Sequence, residues 1–155
     1  MELRRYKPDD CAVLAELFFN TVHTVNAKDY SKDQLDAWAT GYVDTSVWNK
    51  SFLEHDTVVA EINGIITGFG DMDDTGYPDM LYVHMDYQNR GVATAIVREL
   101  EQQARSCNVS HFTTYTSITA KPFFEGLGYH VVRKHTAVRR NIKLTNYIME
   151  KNTDS

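Results

Sequence analysis

Cysteine is scarce in this chain of 155 residues, which contains only Cys11 and Cys107. Neither cysteine belongs to a pair or spacing that is typical of a metal or redox site, so the sequence favours neither a disulfide scaffold nor a zinc module. Both fall in predicted helices, where we expect buried thiols in a reducing compartment. The sequence therefore predicts no metal site.

Long apolar runs and an excess of basic charge are also missing. No run approaches the ~20 residues that span a bilayer, and the first residues, Met-Glu-Leu-Arg-Arg, do not begin an apolar signal segment. We therefore expect a cytoplasmic protein without a membrane partner. The net charge of -5 argues against a general nucleic-acid binder.

Hydrophobic residues make up 43% of the chain, which is enough for a folded core. No linker or repeat divides the chain. We predict one domain at residues 1–151 and a frayed tail at residues 152–155.

The spacing of apolar residues predicts an α/β fold. Strands are predicted at residues 3–6, 57–62, 65–71, 78–85, 111–116, 129–138 and 143–149. Helices are predicted from residue 8, from the capping box at Ser31 to Gly41, over residues 92–105 and over residues 120–127. Residues 44–54 add a helical turn or two, with inward side chains at Val47, Trp48, Phe52 and Leu53. The order β-α-α-β-β-β-α-β-α-β-β predicts a mixed central sheet with helices on both faces.

The most informative stretch runs from an apolar strand through residues 88–93 into an amphipathic helix. A glycine turn at the start of a helix directs free backbone N–H groups at one point, where the helix dipole adds positive charge, so the turn suits a pyrophosphate. No Gly-Lys-Ser/Thr follows, which excludes a P-loop, and Gly91 is the only glycine in the loop, which excludes the dinucleotide fingerprint. An ordinary strand-to-helix turn is the alternative.

These residues resemble the Gln/Arg-x-x-Gly-x-Gly/Ala loop of the GCN5-related N-acetyltransferase (GNAT) family. Residues 117–129, Ser-Ile-Thr-Ala-Lys-Pro-Phe-Phe-Glu-Gly-Leu-Gly-Tyr, resemble the family's Asn-x-x-Ala-x-x-Phe-Tyr-Glu-Lys-x-Gly-Phe segment. With the ending at residues 143–151, the chain is most similar to the YafP-like branch of small bacterial acetyltransferases. The resemblance implies the GNAT fold over nearly the whole chain.

The resemblance also implies acetyl-CoA as cosubstrate, bound where two neighbouring strands splay apart. The backbone of Val83 and Met85 is expected to bind the pantetheine arm, with Ser117 and Phe124 near the thiol. The pyrophosphate is expected on the N–H groups of Gln88, Asn89, Arg90, Gly91, Val92, Ala93 and Thr94.

Amide formation needs a base for the amine, a donor to the oxyanion and a proton for the thiolate. For the base we consider His84, Asp79 and Tyr82. Strand alternation directs Tyr82 and His84 to the face opposite Asp79, unless a bulge shifts this parity. A water chain is the alternative base, and a backbone N–H near Val83 is the expected oxyanion donor.

The tyrosine that protonates the thiolate in many family members is replaced here by Phe124. The proton for the thiolate would then come from solvent, from Tyr115 or from Tyr129. Either tyrosine is alternatively a core aromatic residue whose hydroxyl is hydrogen-bonded elsewhere.

We therefore predict an N-acetyltransferase that moves acetyl directly from acetyl-CoA to a primary amine of a small molecule or peptide. The acids Asp71, Asp73, Asp74, Asp79 and Asp86 favour a cationic acceptor, unless they are only solvated turn residues. The alternative is a non-catalytic acyl-CoA-binding regulatory module on the same fold. The resemblance also allows a homodimer paired through the last strands.

Overall fold

A computed structural model describes residues 1–153. The strands are β1 (Glu2–Arg5), β2 (Asp56–Ile62), β3 (Ile65–Met72), β4 (Pro78–Val83), β5 (His111–Ser117), β6 (His130–Arg139) and β7 (Ile142–Asn152). The helices are α1 (Cys11–Thr24), α2 (Lys32–Trp38), α3 (Thr45–Glu54), α4 (Val92–Ser106) and α5 (Lys121–Gly126). Short 3-10 turns lie at Pro8–Asp10, Asn26–Lys28 and Met85–Tyr87.

The strands form two antiparallel halves. One half has the order β1-β2-β3-β4, and the other has the order β5-β7-β6. The two halves meet between β4 and β5, where the hydroxyl of Thr114 donates to the carbonyl of Pro78 at 3.0 Å. No ladder joins β4 to β5 among the residues described. The strands touch at the start of β4 and leave a gap along the rest of it.

Helices cover both faces of the sheet. On one face α1 buries Leu14, Leu17 and Phe18, together with Phe52 of α3 and Phe69 of β3. On the other face α4 and α5 bury the second cluster, which includes Val92, Ile96, Val97, Leu100, Phe112, Phe124 and Met149. Apolar residues three and four apart place each stripe on one side of its helix. The predicted α/β fold with helices on both faces is confirmed.

The segment before β2 is more helical than predicted. Helix α3 has ten residues because Asp44 caps it, accepting hydrogen bonds from the N–H groups of Ser46 and Val47. A helix on the surface buries only one face, so the inward prediction was wrong for Val47 and Leu53, which are 60% and 56% exposed.

Helix α2 is shorter than predicted. The Ser31–Gln34 capping box forms as predicted. The helix then ends at Trp38 rather than at Gly41, because Ala39 is extended.

The end of α4 and the end of the chain also differ from prediction. Cys107 follows α4 and is exposed, whereas Cys11 is buried. Strand β7 continues to Asn152, and both the N–H and the hydroxyl of Thr153 donate to the carbonyl of Ser110. The part of the predicted tail beyond Thr153 lies outside the described residues. No helix among those described is long and apolar enough to cross a membrane.

Candidate active site

The gap between β4 and β5 opens into a cleft of about 880 Å³. Its walls come from β4, β5, the loop before α4, the segment before α5, and the region around α1 and α2. The lining includes Thr21, Trp38, Asp79, Leu81, Tyr82, Val83, Gln88, Asn89, Gly91, Val92, Ala93, Thr94, Tyr115, Thr116, Ser117 and Phe124. Most of the predicted site residues therefore share one cavity.

The start of α4 forms one end of this cleft. Gly91 precedes the helix with a φ of 79°, and none of the described side chains caps the first turn. The starts of α1 and α5 also lack a side-chain cap, whereas side chains of Ser31 and Asp44 cap α2 and α3. A Cβ added at Gly91 would have no atom of residues 1–153 within 4 Å, so the described structure leaves the space in front of the helix open. Uncapped N–H groups beside open space fit an anionic group such as a pyrophosphate.

Two side chains of the loop brace it. The amide of Gln88 donates to the carbonyl of Val83 at 2.7 Å, and the guanidinium of Arg90 stacks 5.0 Å from the Tyr87 ring. Gln88 and Asn89 line the cleft, whereas Arg90 does not. The loop therefore offers mainly backbone N–H groups to the cavity.

The backbone of β4 has donors that face the gap. The N–H of His84 donates to Thr67 of β3 at 2.8 Å. Because successive N–H groups alternate in direction along a strand, those of Leu81 and Val83 point away from β3 and toward the cleft. The carbonyl of Val83 already accepts hydrogen bonds from Thr21 at 2.9 Å and from Gln88.

Met85 lies beyond β4, in the following 3-10 turn, and is 41% exposed. It does not line the cleft. A backbone contact between Met85 and a bound arm remains a prediction.

Asp79 occupies a bulge in β4. Met80 pairs with Asp71 and Pro78 pairs with Met72, so Asp79 is the extra residue. Simple alternation predicted Asp79 on the face of Val83, but its carboxylate lies near His55 and Asp71 instead, with ligand atoms of the three residues all within 4.8 Å. The bulge accounts for this shift in parity.

Asp71 is fully buried and accepts two hydrogen bonds, from Nδ1 of His55 at 2.7 Å and from the N–H of Met80 at 2.9 Å. Burial raises the pKa of Asp71 to about 6, against the hydrogen bond from His55. Burial alone would lower the pKa of His55, but the hydrogen bond and charge of Asp71 raise it overall. Loss of solvent raises the pKa of Asp79, and His55 opposes that rise.

Histidine and aspartate side chains can bind metal ions, and the potential ligand atoms of His55, Asp71 and Asp79 lie close together. Nδ1 of His55 and a carboxylate oxygen of Asp71 are already hydrogen-bonded to each other. A metal would have to replace that bond. The prediction of a metal-free site stays a prediction.

The remaining candidates for the base lie in different surroundings. Nδ1 of His84 accepts the N–H of Asp86 at 3.0 Å, and its ring packs against Tyr87, outside the cleft lining. Tyr82 lines the cleft and packs edge-on against Phe18 at 4.9 Å. Its burial raises the pKa of the phenol.

The hydroxyl groups near β5 differ in their availability. Tyr115 is 45% exposed and lines the cleft. Tyr129 is buried, and its hydroxyl donates to Glu101 at 2.7 Å. The phenol proton of Tyr129 is therefore already engaged in a hydrogen bond. The hydroxyl of Ser117 accepts the N–H of Ala120 at 3.0 Å. Phe124 is buried and packs against Tyr129.

Sequence reasoning missed His55 and treated Asp71 only as one of several acids. His55 comes directly after α3, at a position with no motif. Its position matters through a hydrogen bond to Asp71 of β3, which is 16 residues away along the chain. Only a predicted register for β3 and β4, including the bulge, would have brought the three residues together.

Comparison with known proteins identifies the class of protein that this fold and cleft define. Residues 26–151 match the family model for the acetyltransferase (GNAT) domain. The chain belongs to the GNAT family and is an N-acetyltransferase.

Individual relatives agree with this class. The chain is 34% identical over 149 residues to the uncharacterized N-acetyltransferase YafP of Escherichia coli, covering 96% of this chain and 94% of that protein. It superposes on a GCN5-related N-acetyltransferase from Rhodopseudomonas palustris with a TM-score of 0.93 and 32% identity, over 97% and 94% of the two chains. The fold also matches YncA from Salmonella typhimurium, a putative acetyltransferase solved with acetyl-CoA, with a TM-score of 0.68 and 20% identity, over 100% and 95%.

Proposed function

We propose that this protein binds acetyl-CoA in the cleft between β4 and β5 and transfers the acetyl group directly to a primary amine of a small molecule or peptide. The observation that carries the proposal is the uncapped start of α4, which opens into the same cleft as the bulged Asp79. The first feature suits the pyrophosphate of the cosubstrate. The second supplies a carboxylate for the amine.

The cosubstrate would lie along the cleft from α4 toward the bulge. Its pyrophosphate would accept hydrogen bonds from the N–H groups of Val92, Ala93 and Thr94, which begin an amphipathic helix of 15 residues. The pantetheine arm would take the place of a strand beside β4, using the N–H group of Val83 and leaving that of Leu81 for the acetyl end. The acetyl group would then sit in the narrower part of the gap, near Asp79.

In the reaction, Asp79 would take a proton from the ammonium group of the acceptor. The free amine would attack the thioester carbon, and a backbone N–H of β4 would stabilise the oxyanion. The attacking nitrogen would then lose its second proton to water as the carbon–sulfur bond breaks. The thiolate would leave and take a proton from solvent, because Phe124 has no hydroxyl. The raised pKa of Asp79 suits it to act as a base.

The acceptor would be a cationic amine that enters from the side of α1 and α2. Trp38 and Asn26 line that side of the cleft, and Asp71 and Asp73 lie near Asp79. Of these three carboxylates, Asp79 lines the cleft, where its negative charge would attract cations and raise their local concentration. Tyr115 borders the same cavity and would offer an aromatic face to the cation.

Thiol release from acetyl-CoA, measured over a panel of polyamines, aminoglycosides, amino acids and peptides, tests the proposal. We expect turnover with one class of amine. Asp79→Asn should lower kcat by ~100-fold or more, which is the usual contribution of a general base. The matched control is Asp74→Asn, because Asp74 is an exposed turn residue outside the cleft lining.

Two outcomes would contradict parts of the proposal. CoA binding without thiol release from any amine would favour the regulatory module, in which the fold binds an acyl-CoA and acts on a partner. Equal turnover by Asp79→Asn and wild type would remove Asp79 as the base and favour a water chain.

A further inference from the structure

The buried pair of His55 and Asp71 takes no direct part in the proposed reaction. A carboxylate that is completely buried is costly unless it is paired and hydrogen-bonded. This one lies directly beside the bulge that carries Asp79. His55 also lies at the C-terminal end of α3, where the helix dipole favours a cation.

We propose that His55 is a positioning residue whose imidazolium, held by Asp71, keeps the Asp79 carboxylate ionised and therefore able to accept the amine proton. The inference rests on the proposed function, because it assigns a role to the surroundings of the proposed base. Asp79 would touch the acceptor, and His55 would act only through Asp79.

The charges around Asp79 support this role for His55. Asp71 faces it from β3, Asp73 from the turn before β4, and His55 from the end of α3. The phenols of Tyr77 and Tyr82 are also near Asp79, whose charge adds to the effect of burial in raising their pKa. Of these five groups, His55 is the only one that can carry a positive charge.

Removing His55 would leave two carboxylates, the buried Asp71 and the exposed Asp79, within 4.8 Å of each other. Such pairs hold one proton between them up to a higher pH than a single carboxyl does. Asp71, which is buried, and Asp79, which is exposed, would then share that proton at the lower end of the working range, and Asp79 cannot take a proton from the amine while it holds one.

Asp71 fixes the distance between the imidazolium and the base. One of its oxygens accepts from His55 at 2.7 Å, and the other accepts from the N–H of Met80 at 2.9 Å, the residue next to Asp79. Asp71 therefore ties the end of α3 to the bulge of β4. Because Asp71 has no exposed surface, water does not compete for these bonds.

The pH profile of kcat/KM tests the inference. In His55→Gln the acid limb should move to higher pH by about one unit, since one unit charge at 4.8 Å in a medium between protein and water has roughly that effect. At the high-pH plateau the variant should match wild type, and below the limb it should be ~10-fold slower. His55→Arg, which retains a cation, should restore most of the wild-type profile.

His111→Gln is the matched control, because His111 is an exposed histidine paired with Glu150 at the far end of β5. It should leave the profile unchanged. Equal slowing of His55→Gln at every pH would indicate a merely structural role and would overturn the inference, as would an unchanged acid limb.

A carboxyl ¹³C NMR titration separates this inference from the proposed function. The titration midpoint of Asp79 should rise in His55→Gln and return in His55→Arg, whether or not an acceptor amine has been found. If Asp79→Asn stays fully active, the assignment of the base fails. If Asp79→Asn is inactive and the Asp79 midpoint is the same in wild type and His55→Gln, only the role of His55 fails.

Discussion

Two glycines in this chain allow the anion site at α4 to be tested with a matched pair of variants. Gly91 precedes α4 with a φ of 79°, and Gly64 lies in the β2–β3 hairpin with a φ of 78°. At neither position would a new Cβ come within 4 Å of another atom in the described part of the chain. Aspartate at either position should therefore meet the same left-handed backbone strain of ~1 kcal/mol, which a new side-chain cap on α4 would partly offset at Gly91.

Only the variant at Gly91 should affect CoA. Its carboxylate would lie roughly 5 Å from the proposed pyrophosphate, and two phosphate charges at that distance with an effective dielectric constant of about 40 give a repulsion of ~3 kcal/mol. The same carboxylate would compete for the N–H groups of the first turn. We expect the Kd for CoA to rise on the order of 100-fold in Gly91→Asp and to be unchanged in Gly64→Asp.

Isothermal titration calorimetry at low salt measures both constants, and urea unfolding checks that both variants are folded under these conditions. The loss in Gly91→Asp should shrink at high salt, because added ions screen the repulsion. If both variants bind CoA within about 3-fold of wild type, the pyrophosphate does not lie at this helix start and the reasoning is refuted.

Two further predictions concern stability, measured as the free energy of unfolding in urea. Thr116 is a buried residue of β5 whose hydroxyl has no partner among the described residues, so Thr116→Val should be neutral or stabilise by up to ~1 kcal/mol. Thr114→Val removes a hydroxyl that is hydrogen-bonded at 3.0 Å, so it should cost ~1–2 kcal/mol. Lys151 donates to the buried carboxylate of Glu101 at 2.8 Å, so Lys151→Met should cost ~2–3 kcal/mol, whereas Lys50→Met, at an exposed pair, should cost under ~0.5 kcal/mol. Equal effects within either pair of variants would contradict these assignments.

The sequence predicted the features that depend on local patterns. The helix with apolar residues at Val92, Ile96 and Leu100 forms as its spacing indicated, and the loop before it lines a cleft with α5 as the resemblance implied. The capping box at Ser31 also forms. The helix and the capping box depend on residues within a few positions of one another, where helix and turn chemistry act directly. The cleft joins distant residues and was predicted through the resemblance alone.

Features that depend on distant parts of the chain could not be predicted. Alternation along β4 gave the wrong neighbours for Asp79, because the bulge is defined by pairing with Asp71 and Met72 of β3. The role proposed for His55 depends on its contact with Asp71. The exposure of Val47 likewise depends on which face of α3 meets α1, and the sequence of α3 alone does not specify that.

Residue-resolved NMR during a titration with CoA tests the central claim, that the cleft between β4 and β5 binds the cosubstrate. At 17.8 kDa the chain suits ¹H–¹⁵N spectra. The largest amide shifts should fall at residues 91–94 and at Leu81 and Val83, and the hairpin around Gly64 should not respond. If the amides of residues 91–94 stay in place while CoA binds elsewhere, the account of this site is contradicted.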